Sequence, residues 1–239
     1  MTFDIRTTTP TFVSEGQLAD ALGAAMRRVY LWMAIGLLVT TVVAAVVANT
    51  GLVLLIAANP IVFIGLIVGE LAMVIAVSAA INRVSPATAL LLFFAYSALN
   101  GATLAVIFLV YTLGSIALTF FASAALFGAM SIIGYTTKMD LSRFGAFLLM
   151  GLIGIIIASV VNMFLASTAL EWIITFVGIF VFLGLAVYHT QRIRVNTLAA
   201  LQAGDDQAAA RVGIIGALSL YLDFINLFLM LLRLMGRRR

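Results

Sequence analysis

The chain of 239 residues is 64% hydrophobic and only 9% charged, and it contains no cysteine. Soluble domains carry roughly 45–50% apolar and about 25% charged residues, so this composition predicts an integral membrane protein. The absence of cysteine excludes disulfides, thiolate metal sites and cysteine nucleophiles. The formal net charge is +4, but the placement of the basic residues is more informative than their sum, and we expect no nucleic-acid partner.

Residues 1–28 are polar and include acids. They lack the basic start, short apolar core and small-residue cleavage site of a secretory signal. We predict a cytoplasmic tail over 1–28, partly disordered, that ends in an amphipathic lead-in from Leu18 to Met26. A membrane domain over 29–235 and a basic tail over 236–239 complete the predicted organisation.

Seven apolar windows follow the amino-terminal tail. A hydrocarbon core about 30 Å thick requires roughly 20 apolar residues per helix, so each window predicts one transmembrane helix. The fold class is therefore all-α, a bundle of seven transmembrane helices. The windows are 30–50, 60–81, 87–110, 114–134, 145–166, 172–190 and 212–233.

Asn59 and Pro60 open the second window. Asparagine caps free N–H groups, and proline is tolerated at the first helical position. The apolar run Leu52 to Ala58 just before them fits either an interfacial or re-entrant piece, or a longer second helix.

The basic residues predict the orientation, because cytoplasmic loops are enriched in lysine and arginine. Nine of the 13 basic residues fall on one side of the predicted membrane, and the connections 51–59, 111–113 and 167–171 carry none. We therefore expect a cytoplasmic amino terminus. The nine are Arg6, Arg27, Arg28, Arg83, Lys138, Arg143, Arg192, Arg194 and Arg211.

The carboxyl-terminal tail conflicts with this rule. It carries Arg233, Arg237, Arg238 and Arg239, yet an odd number of spans places it outside. Either the last helix is a true span held by the bundle, or it is re-entrant. We favour a true span, since about 22 residues are enough to cross.

Small residues recur on the fourth and fifth predicted helices. Such residues let helix backbones approach closely, and ordinary bundle packing explains them. They are Gly128, Gly134, Gly145, Gly151, Gly154 and Ala158.

Two acids lie inside apolar windows, Asp223 in the last and Glu70 in the second. A carboxylate at mid-membrane depth costs at least about 2.5–3.5 kcal/mol, so it normally faces a cavity or a partner and marks an ion or proton site. We interpret Asp223 as a titrating or ion-binding group rather than a neutralised packing acid. Glu70 is a weaker candidate of the same kind.

Other polar residues recur three or four positions apart, which places them on shared helical faces. Because lipid rejects such groups, we expect these faces to point inward, most of them as interhelical hydrogen bonds. The sets are Ser219, Asp223 and Asn226, followed by Arg233; Tyr96, Asn100 and Thr103; and Ser159 with Asn162.

His189 is the only histidine and lies three residues before Arg192 at the end of the sixth window. A histidine facing a carboxylate titrates in the physiological pH range. However, Asp223 lies about 16 Å into its own window at 1.5 Å per residue. The two residues can meet only if the seventh helix begins outside the hydrocarbon or the sixth extends past it.

Three stretches, residues 27–38, 127–164 and 218–233, resemble the bacterial branch of the transmembrane Bax inhibitor motif family. The runs GYTTKMDLS and SLYLDFINLFL are specific, and the likeness covers nearly the whole chain beyond about residue 20. The resemblance implies a seven-helix fold with the last helix surrounded by the other six. It also implies a pH-sensitive calcium leak gated by two acids on the last two helices, the second of which matches Asp223.

The chain departs from that family at the first acid. The resemblance implies an aspartate in a tyrosine–aspartate–threonine–glutamine run, and here the run is Tyr188-His189-Thr190-Gln191. Two close carboxylates share a proton, whereas His⁺ and Asp⁻ attract. We expect a gate that is closed by a salt bridge at low pH and loosened when His189 loses its proton.

The same substitution bears on metal binding. Calcium prefers 6–8 oxygen ligands, so losing one carboxylate leaves Asp223 and Glu70 as ligands for a calcium ion bound only weakly. By resemblance, Glu70 corresponds to an acid of the ion path, to which we add Asn100, Ser219 and Asn226 from the shared faces. Arg83 corresponds to a gate latch, and Arg192 is a second candidate.

Several enzyme and receptor classes are excluded. A retinal protein requires a lysine within a helix, and Lys138, the only lysine, lies in a loop. No glycine-flanked serine motif accompanies His189, and no histidine–glutamate pair has metalloprotease spacing. Two classes survive: a leak channel or exchanger for calcium or protons in the inner membrane of a bacterium, and a non-transporting regulator of a membrane protease, stress or cell-death response.

Overall fold

The computed structural model describes residues 15–81 and 83–239. These residues form nine α-helices, seven of which are long and apolar enough to cross a membrane. The seven-helix prediction is confirmed, with α4 and α5 together filling the third window. The bounds are α1 (Glu15–Ala48), α2 (Leu52–Ala58), α3 (Pro60–Ala80), α4 (Pro86–Leu104), α5 (Ile107–Val110), α6 (Leu113–Thr136), α7 (Ser142–Leu165), α8 (Thr168–Gln202) and α9 (Asp206–Met235).

The first helix begins earlier than its window. The lead-in is continuous with the first span in one helix of 34 residues, because its buried residues Leu22, Met26 and Val29 continue into Met33 at helical spacing. The predicted boundary at residue 28 therefore does not separate a tail from a helix. Residues 1–14 of the predicted, partly disordered tail, with Arg6 among them, lie outside the described part of the chain.

The last two long helices are also longer than their windows. α8 runs 12 residues past position 190 and α9 begins six residues before position 212, so the turn between them covers only 203–205. Hydropathy misses these extensions because their outer faces are polar. Their inner faces are buried, as Ile193, Thr197 and Ala209 show.

Asn59 performs the predicted capping role. Its side-chain oxygen accepts hydrogen bonds from the backbone N–H groups of Ile61 at 3.0 Å and Val62 at 3.4 Å, and Pro60 takes the first helical position. The backbone of Asn59 is extended, which ends α2. The run Leu52–Ala58 is therefore a separate short helix and not a longer second span.

The last helix occupies the centre of the bundle. In its most apolar window 72% of the residues are buried, against 6% for α3. Its main neighbours are α8, α1, α6 and α4, while α3 packs mainly on α4, and α7 packs on α8. The outer helices present large apolar side chains, such as Ile75 and Ile157, which suit contact with acyl chains.

The alternating direction of the spans creates two ends. The basic-loop end holds the start of α1 and the turns 83–85, 137–141 and 203–205; the tail end holds 49–51, 105–112, 166–167 and 236–239. α9 is one uninterrupted helix of 30 residues, so the interpretation as a span is correct and the re-entrant alternative is wrong.

The carboxyl-terminal tail pairs with the α5–α6 connection. Thr112 N–H donates to the carbonyl of Arg237 at 3.2 Å, and Arg239 N–H donates to the carbonyl of Val110 at 2.9 Å. A third bond joins Arg237 N–H to the Ser115 hydroxyl at 3.0 Å. The tail is thus fixed to the end of the bundle opposite the basic loops.

Candidate functional site

Asp223 and His189 meet between the two innermost helices. The Nδ1 atom of His189 lies 2.6 Å from the Oδ2 atom of Asp223. The aspartate is 3% exposed, and the histidine side chain retains 19% of its accessible surface. The contact is a salt bridge when the histidine is protonated and a hydrogen bond when it is neutral.

The lengths of α8 and α9 explain how the two residues reach each other. Both conditions set by the sequence are met, since α8 extends past residue 190 and α9 begins before residue 212. His189 therefore lies well inside α8, at the same level of the bundle as Asp223.

Two glycines allow the neighbouring helices to approach α8 at this level. A Cβ on Gly145 of α7 would fall inside the ring of Tyr188, and one on Gly134 of α6 would lie 3.0 Å from the Cβ of Thr190. These are the close approaches predicted from the small residues. By contrast, a Cβ added at Gly128 or Gly154 would meet no described atom within 4 Å. Close helix packing therefore does not explain these two glycines.

The run 188–191 connects α8 to three other parts of the bundle. His189 contacts α9, and the hydroxyl of Thr190 lies 3.3 Å from that of Tyr30 on α1. The side chain of Gln191 accepts a hydrogen bond from Leu141 N–H at 3.2 Å and donates to the carbonyl of Met139. This run therefore fixes α8 to α9, α1 and the 137–141 loop.

A cavity of about 380 Å³ opens at the basic-loop end and reaches the pair. Its wall includes His189 and Ser219, together with Arg192 and Arg211. Ser219 thus lines the cavity one helical turn before Asp223, on the same face of α9. We call this cavity the vestibule.

Glu70 belongs to a different set of contacts. Asn100 donates from Nδ2 to Glu70 Oε2 at 3.2 Å, and the Tyr221 hydroxyl donates to Asn100 Oδ1 at 3.2 Å. Thr40 lies 2.6 Å from the Tyr221 hydroxyl. These four side chains, the Glu70–Thr40 chain, link α3, α4, α9 and α1.

The remaining candidates are more scattered. Asn226 donates to the carbonyl of Leu222 on its own helix at 2.8 Å. Arg192 donates to the Tyr188 hydroxyl at 3.2 Å, one residue from the pair. Arg83 is exposed in the turn after α3, and its side chain makes no hydrogen bond or ion pair with the described residues.

One of the expected inward faces, that of Ser159 and Asn162, differs from the prediction. Ser159 is exposed on the outside of α7, and Asn162 accepts from Ser167 N–H at 2.9 Å, where it closes the α7–α8 connection. Neither residue joins the interior polar groups, because the outer position of α7 leaves that face without a neighbouring helix.

No compact metal centre is formed by the described residues, since nowhere in 15–81 and 83–239 do three acidic or histidine side chains come together. Asp223 and Glu70 lie in separate hydrogen-bonded groups. Each of these groups contains one carboxylate.

Thr40 and Tyr221 were missed as candidates by the sequence analysis. Both are buried and carry hydroxyl groups inside apolar windows. Tyr221 stands two residues before Asp223, which places it on another face of α9. Its presence on the central helix was the available signal, but the sequence does not show which partners it meets.

These features define a class: a seven-helix membrane protein whose buried central helix carries an acid paired with the preceding span. A family model described as inhibitor of apoptosis-promoting Bax1 matches residues 22–239. The chain belongs to this family of Bax inhibitor proteins.

Relatives match over almost the full length. The inner membrane protein YbhL of Escherichia coli strain K12 is 51% identical over 215 residues, which is 90% of this chain and 92% of that protein. An uncharacterised protein of Borreliella burgdorferi is 44% identical over the same shares of the two chains. Another from Deinococcus radiodurans is 38% identical over 95% of this chain and 96% of its own.

Proposed function

We propose that the protein is a pH-sensitive cation leak channel, permeated by calcium, in which His189 and Asp223 form the gate. The contact of 2.6 Å between these side chains carries the proposal. An acid at the centre of a membrane bundle is costly, and such acids line ion and proton pathways. On this proposal the protein transports ions and catalyses no reaction.

The position of the pair supports a gating role. It joins the central helix to the preceding span, and the vestibule gives it access from the basic-loop end. Histidine changes its charge between about pH 5 and pH 8, so a change in pH acts directly on the contact that holds α8 to α9.

The direction of the response follows from the charges. With His189 protonated, His⁺ and Asp⁻ attract and the pair is tight. When the histidine loses its proton, the attraction between two full charges ends and only a hydrogen bond from the neutral ring to the carboxylate remains, which holds the helices less tightly. The leak is therefore low in acid and rises as the pH increases and His189 loses its proton.

The cation is held weakly. Calcium prefers 6–8 oxygen ligands, and Asp223 supplies one carboxylate to a site that a second acid would otherwise complete. Glu70 and Asn100 offer further oxygens along the path, and Ser219 and Asn226, both half-buried, lie on the same face of α9 as Asp223. Weak binding suits conduction, because a tightly held ion leaves slowly.

We place the protein in the inner membrane of a bacterium with the amino terminus in the cytoplasm. The relative from Escherichia coli is named an inner membrane protein. The basic residues of the turns and helix ends at the basic-loop end favour the cytoplasmic side.

Flux from liposomes tests the proposal. Purified protein is reconstituted in calcium-loaded liposomes, and release is measured between pH 5 and pH 8. We expect release that rises with pH, and we expect Asp223→Asn to remove the pH dependence. Asp140→Asn is the matched control, because it removes an exposed acid from the 137–141 loop and should leave the profile unchanged.

Two results would contradict the proposal. Protein-free and protein-containing liposomes that release calcium equally would favour the regulatory role, in which the protein acts on a membrane protease or stress response. An Asp223→Asn profile that follows the parent would remove the acid from the gate.

The substitution at position 189 gives a second test. His189→Asp places two carboxylates in contact, which must share a proton because both cannot ionise cheaply. We expect the pH midpoint of calcium release to differ from that of the parent, and release to fall rather than rise with increasing pH. We also expect this variant to bind calcium more tightly. An unchanged profile would show that residue 189 does not sense pH.

A further inference from the structure

The wall of the vestibule is strongly basic. Arg192 comes from α8 and Arg211 from α9, and His189 lies deeper in the same cavity. No carboxylate occurs among the described residues that line it. The acid of the pair, Asp223, contacts the histidine and is 3% exposed.

The two acids nearest to Arg211 on the sequence, Asp205 and Asp206, are exposed and lie outside the wall of the cavity. Asp205 accepts a hydrogen bond from Ala208 N–H at 2.8 Å, so its carboxylate caps the start of α9. The cavity therefore contains positive charge that no side chain in its wall balances.

Arg211 has an unused donor. Its Nε atom is buried and has no hydrogen-bond partner among the described residues. A buried donor without a partner costs about 1–3 kcal/mol, and such atoms in native structures point to a group that completes them. Arg192 uses one guanidinium nitrogen for the Tyr188 hydroxyl at 3.2 Å, which leaves its other donors free.

We propose that the vestibule binds a phosphate group, which bridges Arg192 on α8 and Arg211 on α9. The planar fork of a guanidinium matches the oxygens of phosphate and binds two of them at once. A volume of about 380 Å³ holds such a group with room to spare. Its source is either a free oxyanion of the cytoplasm or the headgroup of an anionic lipid.

The bound phosphate would connect α8 to α9. Its two arginine partners belong to the helices that carry His189 and Asp223, and the turn between these helices is only 203–205. Occupancy therefore stabilises the closed arrangement of α8 and α9. Phosphate binding is inferred from the cavity and its arginines alone, and it does not depend on whether the protein transports ions.

Thermal unfolding of the full chain in detergent tests this site. The protein is prepared without phosphate and without anionic lipid, and the unfolding midpoint is measured while inorganic phosphate is added at constant ionic strength with chloride. A parallel titration adds phosphatidylglycerol, with phosphatidylcholine as the neutral comparison. A saturable rise with phosphate assigns a free oxyanion, and a rise with phosphatidylglycerol alone assigns a lipid headgroup.

Variants separate the site from general salt effects, because phosphate also stabilises proteins by exclusion from their surfaces. We expect Arg211→Gln and Arg192→Gln each to weaken binding about 10- to 100-fold, as loss of charged hydrogen bonds does. Arg194→Gln is the matched control: it lies on α8 over the ring of Tyr135, 5.4 Å away, outside the vestibule wall. It should bind as the parent does.

The proposal is overturned if neither probe shifts the midpoint, or if the control variant loses as much affinity as the other two. If Arg211→Gln does not fold, Arg192→Gln decides the question, since the latter side chain is exposed.

Discussion

Two polar side chains on α9 differ in how many hydrogen-bond partners surround them. Among the described residues Asp223 has one side-chain partner, His189, beside the vestibule. Tyr221, two residues earlier and about 200° around the helix, is bonded to both Thr40 and Asn100, and through the latter to Glu70. A single contact beside a cavity can change with one proton, whereas a chain of buried hydrogen bonds across four helices behaves as a scaffold.

The surroundings reinforce this difference. Tyr221 is fully buried, with edge-to-face ring contacts to Phe93 at 5.5 Å and Tyr96 at 5.8 Å. His189 keeps part of its surface exposed. On the proposed gating mechanism, α9 is held on one face by the Glu70–Thr40 chain and regulated on the other face by the pair.

The largest change in stability is expected from Gly145→Ala. Its added methyl group would enter the ring of Tyr188 and force α7 away from α8. Overpacking of this kind costs about 1–3 kcal/mol. Equilibrium unfolding in mixed micelles measures it.

The matched control for that variant is Gly154→Ala on the same helix, where nothing lies within 4 Å of the new Cβ. Alanine is the better helix former by about 1 kcal/mol, so this variant should be at least as stable as the parent. Equal losses in both variants would show that the contact with Tyr188 is unimportant.

Tyr221→Phe tests the scaffold. It leaves the ring contacts in place and removes the hydroxyl, so Asn100 and Thr40 each lose a partner. We expect a loss of about 1–2 kcal/mol in the free energy of unfolding and no shift in the pH midpoint of calcium release. A shifted midpoint would mean that the two faces of α9 are coupled, and the comparison would fail.

The smallest effect is expected from Glu171→Gln at the tail end. Glu171 and Arg233 are separated by 3.7 Å, and both side chains are about 40% exposed. Exposed pairs contribute about 0–1 kcal/mol and are screened by salt. Unfolding in low and high salt should differ slightly for the parent and not for the variant. A larger loss would indicate that this pair holds the end of α9.

Much of the fold follows from the sequence. Apolar windows of sufficient length indicate the seven spans, and Asn59 with Pro60 marks a helix start, because capping is a local property. The amphipathic ends of α1, α8 and α9 were left outside the predicted spans, since hydropathy averages their buried and polar faces. His189 would have been judged out of reach of Asp223 had the windows been taken as the helices.

The site is only partly readable from the sequence. The apolar surroundings of Asp223 and Glu70 drew attention to them, but the partners of Glu70 depend on how α3, α4 and α9 pack. Thr40 carried no signal of its own, because a threonine hydroxyl in an apolar window usually bonds to its own helix, and for Tyr221 the only signal was its place on the central helix. The vestibule was not predicted, since it is formed where α8, α9 and the end of α3 leave space.

The short backbone pairing between residues 110–112 and 237–239 limits how the central helix can move. A helix that is fixed at one end cannot slide along its own axis, but it can still tilt or rotate about the fixed end. When the bundle opens, the displacement of α9 should therefore increase with distance from the fixed tail and be greatest near Arg211. Spin labels placed along α9 would measure this graded displacement.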